Sequence, residues 1–212
     1  MKSKVEELHI LFNKKRRFTF PFESVESYIP KNGIYVLFEK GEYFKDLDRI
    51  VQIGSHTGEN QLVPRLKQHF LLENKNRSIF RKNIGRCLLK KSNNQYIDKW
   101  ELDTTSRIDK EKNLKKLNLD FEKELEKEIS EIIQKKISFC VIELNDKRKR
   151  LDFVKKMIST FGKSNELIPS ENWLGNFSPK EKIFRSGLWQ VNNLKGNGFS
   201  DNEYKELKEL IE

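Results

Sequence analysis

The segments GIYVLF (residues 33–38) and RIVQIG (residues 49–54) are the part of the chain that decides its fold. Both are short runs rich in β-branched and aromatic residues, which favour β-strands. The PKNG sequence at residues 30–33 is typical of a turn, and KGE at residues 40–42 allows the chain to reverse. We therefore predict a hairpin of two strands, of which the second ends at Gly54.

Apolar residues at helical spacing recur before and after this hairpin. This spacing predicts helices within residues 5–12, 62–70, 78–91, 121–133, 151–162 and 200–211. A third strand is predicted at residues 137–144, where the sequence is ISFCVIEL, whereas the charged residues 104–118 are expected to form a loop. Because strands and helices mix without regular βαβ alternation, the pattern favours an α+β fold.

A length of 212 residues fits one large domain, or one domain with an appendage. The sequence divides into an N-terminal lead-in at residues 1–29 and a core at residues 30–162 that carries a charged insertion at residues 104–136. Residues 163–212 are expected to form an irregular C-terminal lobe with a short last helix. The aromatic residues of this lobe, Trp173 among them, are predicted to anchor it on the core. The alternative is that its polar and basic residues contact DNA, namely Asn172, Asn176, Lys180, Lys182 and Arg185.

The composition excludes several classes of protein. Two Cys cannot build a disulfide framework, and they could form a four-ligand zinc site only with help from the three His. No apolar run approaches the roughly 18 residues needed to cross a membrane. The N-terminus also lacks the apolar stretch of a signal peptide. We therefore expect a cytoplasmic protein with reduced thiols, one that does not reside in a membrane.

Positive charge is concentrated in one segment. The chain has 42 Lys and Arg against 32 Asp and Glu, and residues 65–91 contain nine basic residues and one acidic residue. Unbalanced like charges repel unless a polyanion meets them, so this segment is predicted to face outward and contact a phosphate backbone. A basic surface with no partner is the alternative. The candidate contacts within it are Lys67, Arg77, Arg81, Lys82 and Arg86.

Residues 107–136 have a different charge pattern. They contain nine basic and eight acidic residues, which predicts a solvated helix face held by pairs four residues apart.

The tripeptides GIY at residues 33–35 and QIG at residues 52–54 resemble the signature of the GIY-YIG nuclease family, with Gln52 in place of its second tyrosine. Arg65 and His69, four residues apart on the next predicted helix, match another family pattern. The segments RSIFRKNIGR (residues 77–86) and PSENWLGNFSPKEKIFRSGLW (residues 169–189) resemble one bacterial branch. The resemblance spans residues 30–194, and it implies a small three-stranded antiparallel sheet flanked by helices.

The resemblance also implies a function, the hydrolysis of DNA phosphodiester bonds with one divalent metal such as Mg²⁺. Carried over to this sequence, Tyr35 would position or deprotonate the attacking water and Arg65 would hold the phosphate. His69 would bond to the same phosphate or to the nucleophile. Gln52 cannot ionise, so in such a site it would only orient water. His56, two residues after the second tripeptide, could line the same cleft or be exposed to solvent.

The chemistry of these residues agrees with the implied roles. A guanidinium is suited to the negative charge that accumulates in phosphodiester cleavage. A phenol with an ordinary pKa near 10 needs nearby cations to act as a base at neutral pH. Ordinary packing is the alternative for Tyr35, as is a satisfied core histidine for His69.

The expected metal ligand is missing from the sequence. The family places a glutamate on a late helix, and the corresponding position here is Val154, at the centre of an apolar stripe. The nearest carboxylate, Asp152, is predicted to point to solvent, so it could bind a metal only if the helix were rotated or the register shifted by one or two residues. Glu143 and Glu101 are other candidate ligands, without support from a motif. Two functions follow, a metal-dependent DNA endonuclease or a catalytically degenerate nucleic-acid-binding protein. RNA is not excluded as the partner, and the oligomeric state stays open.

Overall fold

A four-stranded antiparallel sheet forms the centre of the computed structural model, which describes residues 2–212. The strands are β1 (Phe18–Thr19), β2 (Gly33–Phe44), β3 (Leu47–Gly54) and β4 (Ile137–Glu143), and they lie in the order β1-β4-β2-β3. The predicted α+β class is confirmed, and the three predicted strands are present. The sheet has four strands instead of three because the two-residue β1 pairs with β4 at Phe139 and Ser138.

Helices cover both faces of this sheet. They are α1 (Lys4–Asn13), α2 (Leu62–Phe70), α3 (Ile79–Lys91), α4 (Ile97–Trp100), α5 (Arg107–Asn113), α6 (Leu119–Lys136), α7 (Lys147–Gly162), α8 (Glu181–Ser186) and α9 (Asp201–Ile211). Short 3₁₀ turns occur at Glu23–Tyr28, Leu114–Lys116 and Leu174–Phe177. The loop predicted at residues 104–118 is wrong, because Ser106 caps a helix there by accepting a hydrogen bond from the backbone N–H of Asp109. None of the helices in residues 2–212 is long and apolar enough to cross a membrane.

Alternation along β2 divides the core into two layers. Ile34 and Val36 lie on one face of the sheet and pack with α1, α7 and α9. Tyr35 and Leu37 lie on the other face and pack with α2, α3 and α6. Successive side chains of a strand point to opposite faces, so Ile34 and Tyr35 of the GIY tripeptide lie in different layers.

The N-terminal helix belongs to the first of these layers. Leu8 and Phe12 of α1 are completely buried, as is His9. The His9 ring stacks on Phe44 at 4.1 Å, its Nδ1 lies 2.8 Å from the Val5 carbonyl, and its Nε2 accepts a hydrogen bond from the Ile50 backbone N–H. This imidazole therefore fastens α1 to β3.

The C-terminal lobe is attached to the sheet through a buried carboxylate. The indole N–H groups of Trp173 and Trp189 both donate to Glu39 of β2, at 3.0 and 2.9 Å. Burial raises the pKa of Glu39. The backbone N–H of Trp189 also donates to the carbonyl of Val51 in β3 at 2.8 Å. The indoles thus anchor the lobe on the core and are buried there.

Folding stability should depend on pH through His9. Burial lowers the pKa of His9 to about 4, whereas the unfolded chain binds that proton near pH 6.5. The stabilisation is complete above about pH 6.5 and is lost as the pH falls toward 4, so unfolding should become about 2 kcal/mol easier between pH 7 and pH 5. Urea unfolding of the wild type and His9→Gln at both pH values measures this term. Because the variant lacks the imidazole, its stability should change less; parallel changes in the two proteins would contradict the prediction.

Candidate active site

Tyr35 of β2 lies opposite Gly54 of β3, so the two family-like tripeptides meet across one strand pair. A Cβ atom at Gly54 would collide with the ring and hydroxyl of Tyr35. A Cβ atom at Gly33 would likewise collide with the backbone carbonyl of Ile142 in β4. Both glycines are therefore required sterically, one for the tyrosine side chain and the other for the close approach of two strands.

The helix α2 is positioned over the same face of the sheet. The backbone N–H of Leu62, at its first residue, donates to the carbonyl of Lys31 just before β2, at 3.1 Å. Leu62 and Leu66 are completely buried in the layer that contains Tyr35. Arg65 and His69 lie about one helical turn apart on α2, so both side chains are close to the phenol of Tyr35.

A hydrogen-bonded chain runs from the phenol through the imidazole. Tyr35 Oη lies 2.8 Å from His69 Nε2, and His69 Nδ1 lies 2.7 Å from Ser78 Oγ. Ser78 is the N-cap of α3 and accepts the backbone N–H of Arg81. His69 is completely buried, so it is a satisfied core histidine and also a partner of the phenol.

Burial keeps this pair neutral at physiological pH. Burial, with the positive charges of Arg65 and Arg81, holds the pKa of His69 well below its usual value of 6.5. Burial likewise raises the pKa of Tyr35, a rise that the charge of Arg65 and hydrogen bonds from Arg65 and Gln52 oppose. One ring nitrogen of the neutral imidazole therefore accepts a hydrogen bond and the other donates one.

Arg65 carries an uncompensated charge beside the phenol. Its Nη1 donates to Gln68 Oε1 at 2.7 Å and to the carbonyl of Arg77 at 2.9 Å. No carboxylate within residues 2–212 lies within ion-pair distance of it. Arg65 is half-buried and lines an open depression of about 640 Å³, whereas Tyr35 is only 1% exposed. The guanidinium is therefore the member of this pair that meets a ligand from solvent.

Gln52 completes the group. It is 3% exposed and lies close enough to hydrogen-bond to the phenol, yet its Oε1 accepts no hydrogen bond from any described residue. A buried acceptor left unpaired costs about 1–3 kcal/mol, so such a group is usually explained by a bound molecule or a functional role. Tyr35, Arg65, His69 and Gln52 thus converge at one place in the structure.

A family model described as a GIY-YIG domain matches residues 5–212 of the chain. This chain belongs to the GIY-YIG domain family. The match extends past residues 30–194 to include α1 and α9. Neither the curated proteins nor the solved structures contain a significant match. Membership of the GIY-YIG family indicates a nuclease-type function with a nucleic-acid substrate.

His56 lines the same depression as Arg65, one of the two positions predicted for it, and the alternative of an exposed histidine is wrong. It is 5% exposed, its Nδ1 lies 2.7 Å from the carbonyl of Gly58, and its Nε2 accepts the backbone N–H of Gly33 at 3.3 Å. Both ring nitrogens are therefore occupied by backbone groups. The structure uses His56 to fasten the loop after β3 to the start of the GIY strand, and leaves it no free donor for a phosphate.

The outward orientation predicted for the basic residues of α3 is wrong for Arg81 and Arg86. Arg81 is completely buried and its Nε donates to Glu126 of α6 at 2.8 Å. Arg86 is 6% exposed and its Nε and Nη2 donate to both oxygens of Glu101, at 2.6 and 2.5 Å. Glu101, just before the charged insertion, and Glu126, within it, thus neutralise these cations inside the fold, a pairing that sequence distance concealed.

The remaining predicted contacts are divided between paired and free side chains. Lys67 pairs with Glu26 at 2.7 Å, and the largely buried Lys82 pairs with Glu101 at 3.7 Å. Arg77 is exposed, and no described carboxylate pairs with it. Of the predicted basic contacts, Arg77 is therefore the one left open to a phosphate.

The helix position expected to hold a metal does not fit one. Val154 is buried in the layer with Ile34 and Val36, on the sheet face opposite Tyr35. Asp152 pairs with Lys156 at 2.7 Å and lines a different surface depression. The proposed metal role of Asp152 therefore has no geometric support beside the phenol and Arg65. Residues 2–212 also contain no group of three or more His, Cys, Asp or Glu side chains arranged to hold a metal ion.

Sequence reasoning missed two residues of this site. Glu59 is an exposed carboxylate that lines the same depression as Arg65. It lies in the predicted loop directly after the QIG tripeptide, and this position was the signal that could have identified it. Ser78 was recognisable as the start of a helix, but nothing in the sequence indicated that its hydroxyl would reach His69.

The burial of Arg81 leads to a stability prediction. Replacing Arg81 with Gln leaves Glu126 as a buried and unpaired charge, so the free energy of unfolding should fall by about 3–5 kcal/mol. The matched exposed variant Arg77→Gln should change it by no more than about 0.5 kcal/mol. Denaturant unfolding measures both values, and equal effects of the two substitutions would show that Arg81 is a surface residue.

Proposed function

We propose that this protein is an endonuclease that hydrolyses phosphodiester bonds of DNA at the depression lined by Arg65. The observation that carries the proposal is the convergence of an uncompensated guanidinium with a hydrogen-bonded tyrosine–histidine pair. A phosphodiester is anionic and gains negative charge in the transition state, so this pairing of groups suits it.

Arg65 is proposed to bind the scissile phosphate. Its planar guanidinium can donate two parallel hydrogen bonds to phosphate oxygens, a geometry that a lysine ammonium cannot reproduce. The contacts to Gln68 and to the Arg77 carbonyl orient the guanidinium before substrate arrives. A preoriented donor needs little reorganisation as charge develops on the phosphate.

Gln52 and Tyr35 are proposed to orient the attacking water. The free Oε1 of Gln52 would accept a hydrogen bond from one O–H group of the water, and the oxygen of Tyr35 would take the proton of the other O–H group as the phenolic proton moves to Nε2 of His69. The hydroxide oxygen then bonds to phosphorus, the bond to the leaving sugar oxygen breaks, and that oxygen takes a proton from solvent. A phosphate at Arg65 would offset the positive charge that lowers the pKa of His69.

Glu59 is proposed as the carboxylate that would hold a divalent cation such as Mg²⁺. Its donor chemistry fits, because Mg²⁺ is commonly held by one or two carboxylates, with water and substrate phosphates completing its shell. When bound, the cation would neutralise charge on the phosphate. Glu59 is the carboxylate among the residues lining the depression at Arg65.

Cleavage should depend on Tyr35 and Arg65. Tyr35→Phe removes the proton-transferring hydroxyl, and Arg65→Lys removes the paired donors, so each should reduce plasmid nicking by at least about 10²-fold. The matched controls are Tyr43→Phe, at an exposed tyrosine, and Arg148→Lys, at an exposed arginine. Full activity in either site variant, with folding verified by circular dichroism, would refute the assigned roles.

The metal requirement separates Glu59 from Asp152. Glu59→Gln should raise the Mg²⁺ concentration needed for half-maximal nicking by at least about tenfold, because it removes the charged oxygen ligand. Asp152→Asn serves as the matched control and should leave that concentration unchanged, since Asp152 is paired with Lys156 elsewhere. A higher Mg²⁺ requirement for Asp152→Asn, with no change for Glu59→Gln, would indicate that the metal binds at Asp152 on α7.

A second candidate function is nucleic-acid binding without cleavage. Two observations favour it: Tyr35 is 1% exposed with a raised pKa, and Val154 supplies no oxygen. Binding of duplex DNA by the wild type, with no nicking under Mg²⁺ or Mn²⁺, would establish this alternative. Parallel assays on duplex RNA of the same sequence determine which nucleic acid is the substrate.

A further inference from the structure

Charge is segregated within the insertion. Residues 107–116 contain five basic and two acidic residues, whereas residues 117–136 contain four basic and six acidic residues. The basic part comprises α5 and the 3₁₀ turn that follows it, and we refer to residues 107–116 as the cationic arm. The basic and acidic residues of 107–136 are therefore not evenly mixed. The excess of basic residues lies on the cationic arm, and the excess of acidic residues lies on α6.

Two carboxylates, one just before the insertion and one within it, are used inside the fold. Glu101 neutralises Arg86 and Lys82, and Glu126 neutralises Arg81. These acids are therefore unavailable to the lysines of the arm. Five of the nine cations in residues 65–91 are paired with carboxylates, whereas the lysines of the arm have no such partner among the described residues.

Four lysines of the arm are exposed and unpaired. They are Lys110, Lys112, Lys115 and Lys116. Each has no carboxylate partner within the described part of the chain, whereas Arg107 pairs with Glu111 at 3.0 Å. Like charges this close repel one another, and a polyanion would remove that repulsion.

Hydrogen bonds join the arm to the loop beside Arg65. The backbone carbonyl of Arg77 accepts Nη1 of Arg65, and the adjacent Asn76 donates its side-chain N–H to Thr104 Oγ1 at 3.1 Å. Asn113 of the arm in turn donates to the carbonyl of Asp103 at 2.8 Å. The arm is therefore held by hydrogen bonds to the chain segment that also contacts the loop of Arg77, next to the proposed phosphate site.

We propose that the cationic arm binds the phosphate backbone of a nucleic acid outside the bond that is cleaved. This inference rests on the proposed function for its partner, since the hydrogen-bonded connection of the arm to the loop beside Arg65 favours nucleic acid over other polyanions. The arm lengthens the footprint on the substrate and takes no part in the chemical step. It reads no base, because lysines on phosphates carry no sequence information directly.

Salt dependence of binding tests the arm. Each phosphate contact contributes about 0.9 to the slope of log affinity against log salt for duplex DNA, so four lysines contribute up to about 3.6. The variant with Lys110, Lys112, Lys115 and Lys116 all changed to Gln should therefore bind a long duplex with a flatter slope. It should keep the nicking rate at saturating DNA, because the arm lies outside the chemical site.

Two matched variants control for net charge and folding. One changes four exposed lysines elsewhere to Gln, namely Lys40, Lys163, Lys195 and Lys205, and should keep the wild-type slope. The other changes the arm lysines to Arg, which preserves charge and should also keep the slope. Equal slopes for the arm and control Gln variants would overturn the inference, as would a wild type that binds no nucleic acid. A wild type that binds but does not nick, with a flattened arm slope, would refute cleavage and support the arm.

Discussion

The hydrogen bond between Tyr35 and His69 is the contact around which this site is organised. It joins the central strand β2 to α2 through a buried 2.8 Å interaction, and it requires a glycine at position 54 to make room for the phenol. His69 is held from its other side by Ser78, the N-cap of α3. This series of hydrogen-bonded side chains therefore connects the sheet with two helices. Any shift of α2 would move Arg65 and the imidazole of His69 together.

Electrostatic compensation within the chain explains the placement of its basic residues. Burying Arg81 is tolerable only because Glu126 and several other acceptors surround it, since an unpaired buried charge costs several kcal/mol. The charged insertion that supplies Glu126 also has exposed lysines at residues 110–116. The charged insertion is thus both the counterion of α3 and a source of free positive charge at the surface.

The departures from the GIY-YIG pattern concern proton transfer and the metal. Gln52 replaces an ionisable tyrosine with an amide whose oxygen is free, and Val154 replaces a carboxylate with an apolar side chain in the opposite layer of the core. Glu59 lies in the loop directly after β3 and lines the depression at Arg65.

Local pattern alone determined the α+β class, the β2–β3 hairpin, most of the helices and the spacing that puts Arg65 and His69 on one helix face. These features depend on periodicity and turn chemistry within short stretches, which a single sequence contains. The pairing of β1 with β4 and the burial of Arg81 and Arg86 were decided by tertiary structure, because each depends on a partner distant in the chain, such as Glu126 for Arg81. The helix α5 begins at a local cap, Ser106, which the charge pattern of its segment concealed. Charge counted along a sequence does not reveal which ions will meet, because ion pairing is set by the folded positions of the side chains.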